Sequence, residues 1–263
     1  MKDLTQGLLE GRAGVILGLS GRNGLGYHSA RQFREQGANV ALTYRPERRE
    51  ALRPILDELG ATGLELDATD DSSVERAMTT AGERFGRIDF LVHTLVHVPE
   101  GALSRSVLEL SLDDMTSAMN VGVRSLLGAC RYALPWLERS DAPRVVTLLS
   151  AGAQFALPHY HLAGIVKGAL LSGLRYLAAE LGPRGVLCNA VNFSILETDA
   201  AERVIGPERV SESRRHITKR SMTRRALEFE DVTRTIAFFA SPWCRNVTAE
   251  VLNVDGGFSS SYF

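Results

Sequence analysis

Ala13-Gly-Val-Ile-Leu-Gly18-Leu-Ser-Gly-Arg-Asn-Gly-Leu-Gly26 is the stretch on which the reading of this chain turns. Its first half is short and apolar, and Ala13 to Leu19 reads as a buried strand. Its second half carries glycines at 18, 21, 24 and 26. A helical pattern, Leu25 to Gln36, follows. A glycine turn between a first strand and its helix lets backbone approach a pyrophosphate. The helix N-terminus then offers unpaired N–H groups and the positive end of its dipole. A ligand-free turn has the same composition, so the position after a first strand carries the weight. The spacing is longer than the common GxGxxG.

Outward from this turn, short apolar runs alternate with helical patterns. Strands are expected at Asn39 to Tyr44, Gly63 to Leu66, Ile88 to Val96, Arg144 to Leu149, Val186 to Asn192 and Glu250 to Val254. Helices are expected at Pro46 to Leu59, up to Phe85 behind a Ser72/Glu75 capping box, at Asp113 to Leu137, and at His159 to Leu181. Strands that are apolar throughout and alternate with helices argue a parallel sheet covered on both faces. The fold class is therefore α/β: a Rossmann-type, doubly wound, parallel seven-stranded sheet. Residues 1–263 show no repeat or low-complexity linker, so one domain is expected.

The 263 residues are 44% hydrophobic and 23% charged, with a net charge of −1. No basic field favours nucleic acid. Cys130, Cys188 and Cys244 form no CxxC pair, so neither a metal site nor a disulfide framework is expected, and a cytoplasmic setting is the simplest. The N-terminus lacks the apolar core of a signal peptide, and no run approaches a membrane span.

Two further places bear on chemistry. The second strand ends without the acidic residue that would hold the ribose hydroxyls of NAD. Arg45 stands there instead and could meet a 2′-phosphate, or simply solvate the next helix; NADPH is preferred, with NADH possible. Asp67 ends the third strand, where a carboxylate accepts the adenine amino group or serves as a turn residue. Tyr160 and Lys167 are seven residues apart, about 700° of helix, or roughly 20° short of two turns. On one face, the ammonium would lower the tyrosine pKa, and the phenol could donate to a carbonyl oxygen as hydride arrives.

With these residues in place, the chain resembles the short-chain dehydrogenase/reductase superfamily from end to end. Most members space the pair Tyr-x-x-x-Lys, but here Gly164 falls at the fourth position. Tyr-x6-Lys is the pattern of bacterial enoyl-acyl-carrier-protein reductases. Gly18 with Gly24-Leu25-Gly26, Leu157-Pro158-His159-Tyr160, Tyr176 to Val186 and Val254-Asp-Gly-Gly-Phe-Ser259 are similar to that family as well. The resemblance implies cofactor contacts from Gly18, Gly24, Leu25, Arg45, Asp67, Ala68 and Leu95. Lys167 would hold the ribose, and Leu196 to Ala200, including Thr198, would run along the nicotinamide and pyrophosphate. Tyr160 would stabilise the enolate oxygen formed as an enoyl thioester is reduced. A homotetramer is implied by the resemblance alone.

The sequence also departs from that family. Ser150 stands in place of its second active-site tyrosine, as in ordinary members whose serine binds the substrate carbonyl. Val96 replaces a glycine after the fourth strand. Asn192-Phe193-Ser194-Ile195 replaces a Pro-Gly-type turn. Asn120 occupies the superfamily's helix-kinking position, to anchor a water or to cap backbone groups. His97, His159 and His161 fall near the same sheet edge, as extra acids or bases or as solvent-facing loop residues.

A substrate lid is expected near 198–225. Its stretch 201–225 holds eight Arg or Lys (203, 209, 214, 215, 219, 220, 224, 225) and three Glu (202, 208, 212). Such a lid would attract an acidic carrier protein or a CoA phosphate, or be a solvated helix face. The leading expectation is NAD(P)H-dependent reduction of the carbon–carbon double bond of an enoyl thioester, small or carrier-bound. The alternatives are a biosynthetic ketoreductase, or a cofactor-binding homologue without hydride transfer.

Overall fold

The computed structural model describes residues 7–261. Its strands are β1 (Ala13–Leu17), β2 (Asn39–Tyr44), β3 (Thr62–Glu65), β4 (Phe90–His93), β5 (Arg144–Ser150), β6 (Leu187–Phe193) and β7 (Val251–Val254). They form one sheet in the order β3-β2-β1-β4-β5-β6-β7. Every neighbouring pair is parallel. The order reverses between β1 and β4, and a crevice opens beyond the carboxyl ends of strands at such a point.

The helices are α1 (Leu25–Glu35), α2 (Arg49–Leu59), α3 (Asp71–Phe85), α4 (Leu112–Met119), α5 (Ser125–Leu137), α6 (His161–Leu181), α7 (Asp199–Ile205), α8 (Pro207–Arg220) and α9 (Phe229–Ala240). They cover both sheet faces. Val74 and Met78 of α3, Leu126 and Ala129 of α5, and Leu170 and Leu174 of α6 form one core with Val15, Leu91 and Val145. Phe33 of α1, Leu52 and Ile55 of α2, and Ile236 of α9 form the other with Ile16, Leu42 and Val92. The five inner strands β2, β1, β4, β5 and β6 are buried on both sides, which is why they read as apolar runs, while the edge strands β3 and β7 are partly exposed. The α6 segment is apolar enough by composition to cross a membrane. In this fold its Leu162, Val166, Leu170 and Leu174 are buried, so it reads as a core helix.

Several expected boundaries move. β1 stops at Leu17 because Gly18 turns with φ +113. β4 spans only Phe90–His93, not Ile88 to Val96, since its neighbour β1 has already turned away. The cap of α3 is Asp70, which accepts from the Ser72 amide at 3.0 Å, so the Ser72/Glu75 capping box is not formed. An Asp at this place serves the exposed amides of the first turn directly. The long helix expected from Asp113 to Leu137 is interrupted at Asn120–Arg124 by a π turn, where bonds reach back five residues. The α6 helix begins at His161, with Tyr160 as its cap residue in a non-helical conformation.

Candidate active site

In a parallel sheet the residues after each strand gather along one edge. Gly18 follows β1, Arg45 follows β2, Asp67 and Ala68 follow β3, Leu95 follows β4, Ser150 ends β5, and Leu196 and Thr198 follow β6. The expected site residues from six separate segments, with Tyr160 and Lys167 at the next helix, thus share one rim.

The phosphate turn is built from backbone. The α1 helix follows Gly24 as its cap residue, with no side-chain cap and no acidic residue in its first turn. Its first N–H groups are therefore left for an anion. A Cβ on Gly26 would lie 2.1 Å from the Gly18 carbonyl oxygen, so only glycine lets the helix start this close to β1. Leu95 and Thr94 pack over Gly18. This uncapped, close-set turn fits a dinucleotide pyrophosphate.

Three outside groups hold the turn. Arg48 donates to the Ser20 carbonyl at 3.2 Å. Arg22 pairs with Glu58, which also accepts from Tyr27. Asn23 Nδ2 donates to Asp199 Oδ1 at 3.1 Å, while the Asp199 amide donates to the Asn23 carbonyl at 3.2 Å. The root of α7 is thereby tied to the phosphate turn. Sequence reading missed this clasp, because Asn23 and Asp199 are 176 residues apart.

Other expected residues have prior engagements. Asp67 Oδ1 accepts from the Thr69 amide and hydroxyl at 2.8 and 2.7 Å, so the turn role is realised. Thr198 caps α7, its oxygen accepting from the Ala201 amide at 3.0 Å. Leu196 is buried, and Ala68 and Leu95 pack against the α3–α5–α6 core. Ser194 and Ile195 line a cavity that also touches Arg214 and Asp255. Arg45 is exposed and pairs with Glu47 at 3.7 Å.

Ser150 and Tyr160 meet directly. Ser150 Oγ donates to the phenol oxygen at 3.1 Å. The phenol proton remains free for another acceptor. Lys167 is 8% exposed, and its Nζ donates to the Leu148 carbonyl at 2.7 Å. The expected lowering of the tyrosine pKa by the ammonium does not occur in this arrangement. Burial pushes the phenol up, and only the Ser150 bond opposes it. Burial also pulls Lys167 down to about 8. Asn120 opens the π turn, its carbonyl accepting the Ser125 amide. Its side chain makes no hydrogen bond among the described residues.

The histidines divide. His97 is half-buried, and burial lowers its pKa, helped by Arg45 and Arg203. His161 meets the Arg105 carbonyl at 3.1 Å, and His159 is exposed with φ 54. The buried histidine is His93, which sequence reading passed over. Its signal was a polar residue closing the apolar run Phe90-Leu-Val-His93. No cluster of metal-ligating side chains occurs among the described residues.

Known proteins resemble the chain over nearly its whole length. The family described as Enoyl-(Acyl carrier protein) reductase matches residues 18–259. The enoyl-[acyl-carrier-protein] reductase [NADH] of Aquifex aeolicus is 32% identical over 254 residues, 96% of this chain and 93% of that protein. Its crystal structure superposes with a TM-score of 0.91, covering 98% of this chain and 100% of that one. The Bacillus cereus enoyl-acyl carrier protein reductase, crystallised with NADP+ and indole naphthyridinone, gives a TM-score of 0.91 at 26% identity over 97% of this chain and 99% of that one. Sequence and fold both match these relatives nearly end to end, and the chain belongs to the enoyl-(acyl carrier protein) reductase family.

Proposed function

We propose that this chain reduces the carbon–carbon double bond of an enoyl thioester. The observation that carries the reading is the Ser150–Tyr160 hydroxyl pair, set at the rim above Lys167 and beside an uncapped phosphate turn. A bound reduced nicotinamide would supply hydride to the β-carbon. Tyr160 would donate its free proton to the thioester oxygen, where negative charge develops; the enol would then take a proton from water at its α-carbon as its O–H proton returns to the phenolate. Ser150 holds that phenol in line and stabilises the phenolate left behind. Lys167, released from the Leu148 carbonyl, would grip the ribose. Gly24 and Leu25 would receive the pyrophosphate on backbone amides, Gly18, whose amide donates to Thr43 Oγ1 at 3.1 Å, would allow its close approach, and Ala68 and Leu95 would pack beside the adenosine.

NADPH is the favoured cofactor. Arg45 offers a guanidinium after β2, and the electrostatic influence of Arg45 and Arg203 on His97 supports a positive local field. Helices α7 and α8 would form the lid over residues 198–225, within one catalytic domain. The cationic α8 suits a carrier-bound substrate. A homotetramer would cover Leu108, Leu112, Tyr176 and Trp243, which are exposed here. Three buried free thiols suit a reducing cytoplasm.

The Ser150–Tyr160 pair also favours a second reading, ketone reduction, because two hydroxyls can receive an alkoxide. Cofactor oxidation with crotonyl thioesters and matched 3-ketothioesters separates the two. Turnover of the enoyl series, abolished in Tyr160→Phe, supports the proposal. Turnover of ketothioesters alone replaces it with the second reading. Cofactor binding with no turnover on either overturns both.

A further inference from the structure

We propose that His93 is a positioning residue for Lys167, working through strand β5 and the π turn at Asn120–Arg124. His93 closes β4 and is 1% exposed. Both ring nitrogens are held. Nε2 lies 2.8 Å from Ser125 Oγ, and Nδ1 lies 3.2 Å from Thr147 Oγ1. The directions follow from Ser125. Its single hydroxyl proton goes to the Val121 carbonyl at 2.6 Å, so its oxygen accepts from the imidazole. Nε2 therefore carries the ring proton, and Nδ1 accepts from the Thr147 hydroxyl. Burial, aided by the charge of Lys167, holds the imidazole pKa down at about 3 and keeps the ring neutral.

Val121 lies inside the π turn. In an α-helix the Ser125 amide would serve its carbonyl. Here that amide bonds the Asn120 carbonyl, one residue further back. The Ser125 hydroxyl takes over at Val121, and His93 fixes the hydroxyl. Next to Val121 is Gly122. A Cβ there would stand 2.3 Å from Val166 Cγ1, so the turn's backbone presses on the residue preceding Lys167. The second arm of the imidazole ends on Thr147, next to Leu148, whose carbonyl receives Lys167 Nζ. Each arm thus finishes one residue from a support of Lys167.

The titratable neighbours are few. His93 comes from β4, and Tyr160 from the head of α6. The β5 stretch Thr147 to Ser150 brings none. Arg124 in the π turn is committed to Asp71 at 2.6 Å.

The test uses the whole protein and NADPH, with affinity measured across pH and thermal stability in parallel. It rests on the reading above that Lys167 holds the cofactor, so Lys167→Ala is run first. If that variant binds NADPH as the parent does, the earlier reading fails. If it binds weakly, His93→Leu is expected to lose about tenfold in affinity and to shift the Lys167-linked midpoint by about half a pH unit. His93→Gln, which restores a donor toward Ser125, should recover most of both. Ser125→Ala breaks the same link from the other side and should lose affinity similarly, even if His93→Leu does not fold. Parental affinity and midpoint in either folded variant, with only a lower Tm, would make His93 an ordinary core residue and overturn the proposal.

Discussion

Ser150 Oγ stands 3.1 Å from the Tyr160 phenol oxygen, with the serine as donor. The bond spends the serine proton on the phenol and leaves the phenol proton for the substrate. Tyr160→Phe should lower kcat on crotonyl thioester by about 10²–10⁴-fold, the usual contribution of a positioned general acid. Ser150→Ala should cost about tenfold, because it removes one charge-assisted bond to the developing phenolate. Steady-state kinetics, with NADPH affinity as the control, checks both; affinity should hold in each variant.

Lys167 supplies a prediction with two opposite signs. Its pKa is pulled from 10.5 to about 8 by burial. Cofactor affinity should fall as pH rises through about 8, as the ammonium is lost. Between that pH and 10.5 the unfolded chain holds more protons than the folded one, so the free protein should gain stability over the same range. The slope is at most about 1.4 kcal/mol per pH unit. Titration of NADPH binding and chemical unfolding at matched pH should therefore move in contrary directions, and Lys167→Met should flatten both.

Asp199 places a carboxylate against the phosphate turn. A Cβ on Gly21 would sit 3.3 Å from its Oδ2, and Asn23 holds its Oδ1. A pyrophosphate arriving there meets like charge. Asp199→Asn keeps the side chain's size and removes the charge. We expect NADPH to bind about fivefold more tightly at low salt, roughly 1 kcal/mol, with the gain shrinking as salt screens the repulsion. Equilibrium binding at two ionic strengths decides it.

Arg45 is exposed, and its one ion pair among the described residues, to Glu47 at 3.7 Å, is loose. It is free to turn toward a 2′-phosphate. Arg45→Ala should reduce kcat/KM for NADPH about tenfold while leaving NADH nearly unchanged. Equal effects on both cofactors would place Arg45 outside the adenosine site.

The architecture was legible because parallel strands buried on both faces leave short apolar runs, and each of the seven runs became a strand. The phosphate turn was legible for a local reason: strand, glycines and helix are contiguous. Lys167 was found, but its partner was not, since the Leu148 carbonyl is a backbone group without a sequence signature. The Asn23–Asp199 clasp depends on folding to join distant segments. The π turn was signalled only by the resemblance that made Asn120 a helix-kinking position, and not by the residue pattern. Reach of five residues instead of four changes the hydrophobic period by too little to detect across one turn, so Asp113 to Leu137 read as a single helix.

That turn has a bearing on how the chain tolerates change. It amounts to one residue more than a regular helix would need to travel from α4 to α5. Deleting a residue between Asn120 and Arg124 would let an unbroken helix form with α5 still in phase with α4, whereas straightening the turn with all its residues kept would rotate everything beyond by about 100° relative to α4. Leu126, Ala129, Cys130, Ala133 and Leu137, all buried, would swing off the sheet together. The irregularity that looks most dispensable is the phase-setting element that keeps two halves of one rod in step.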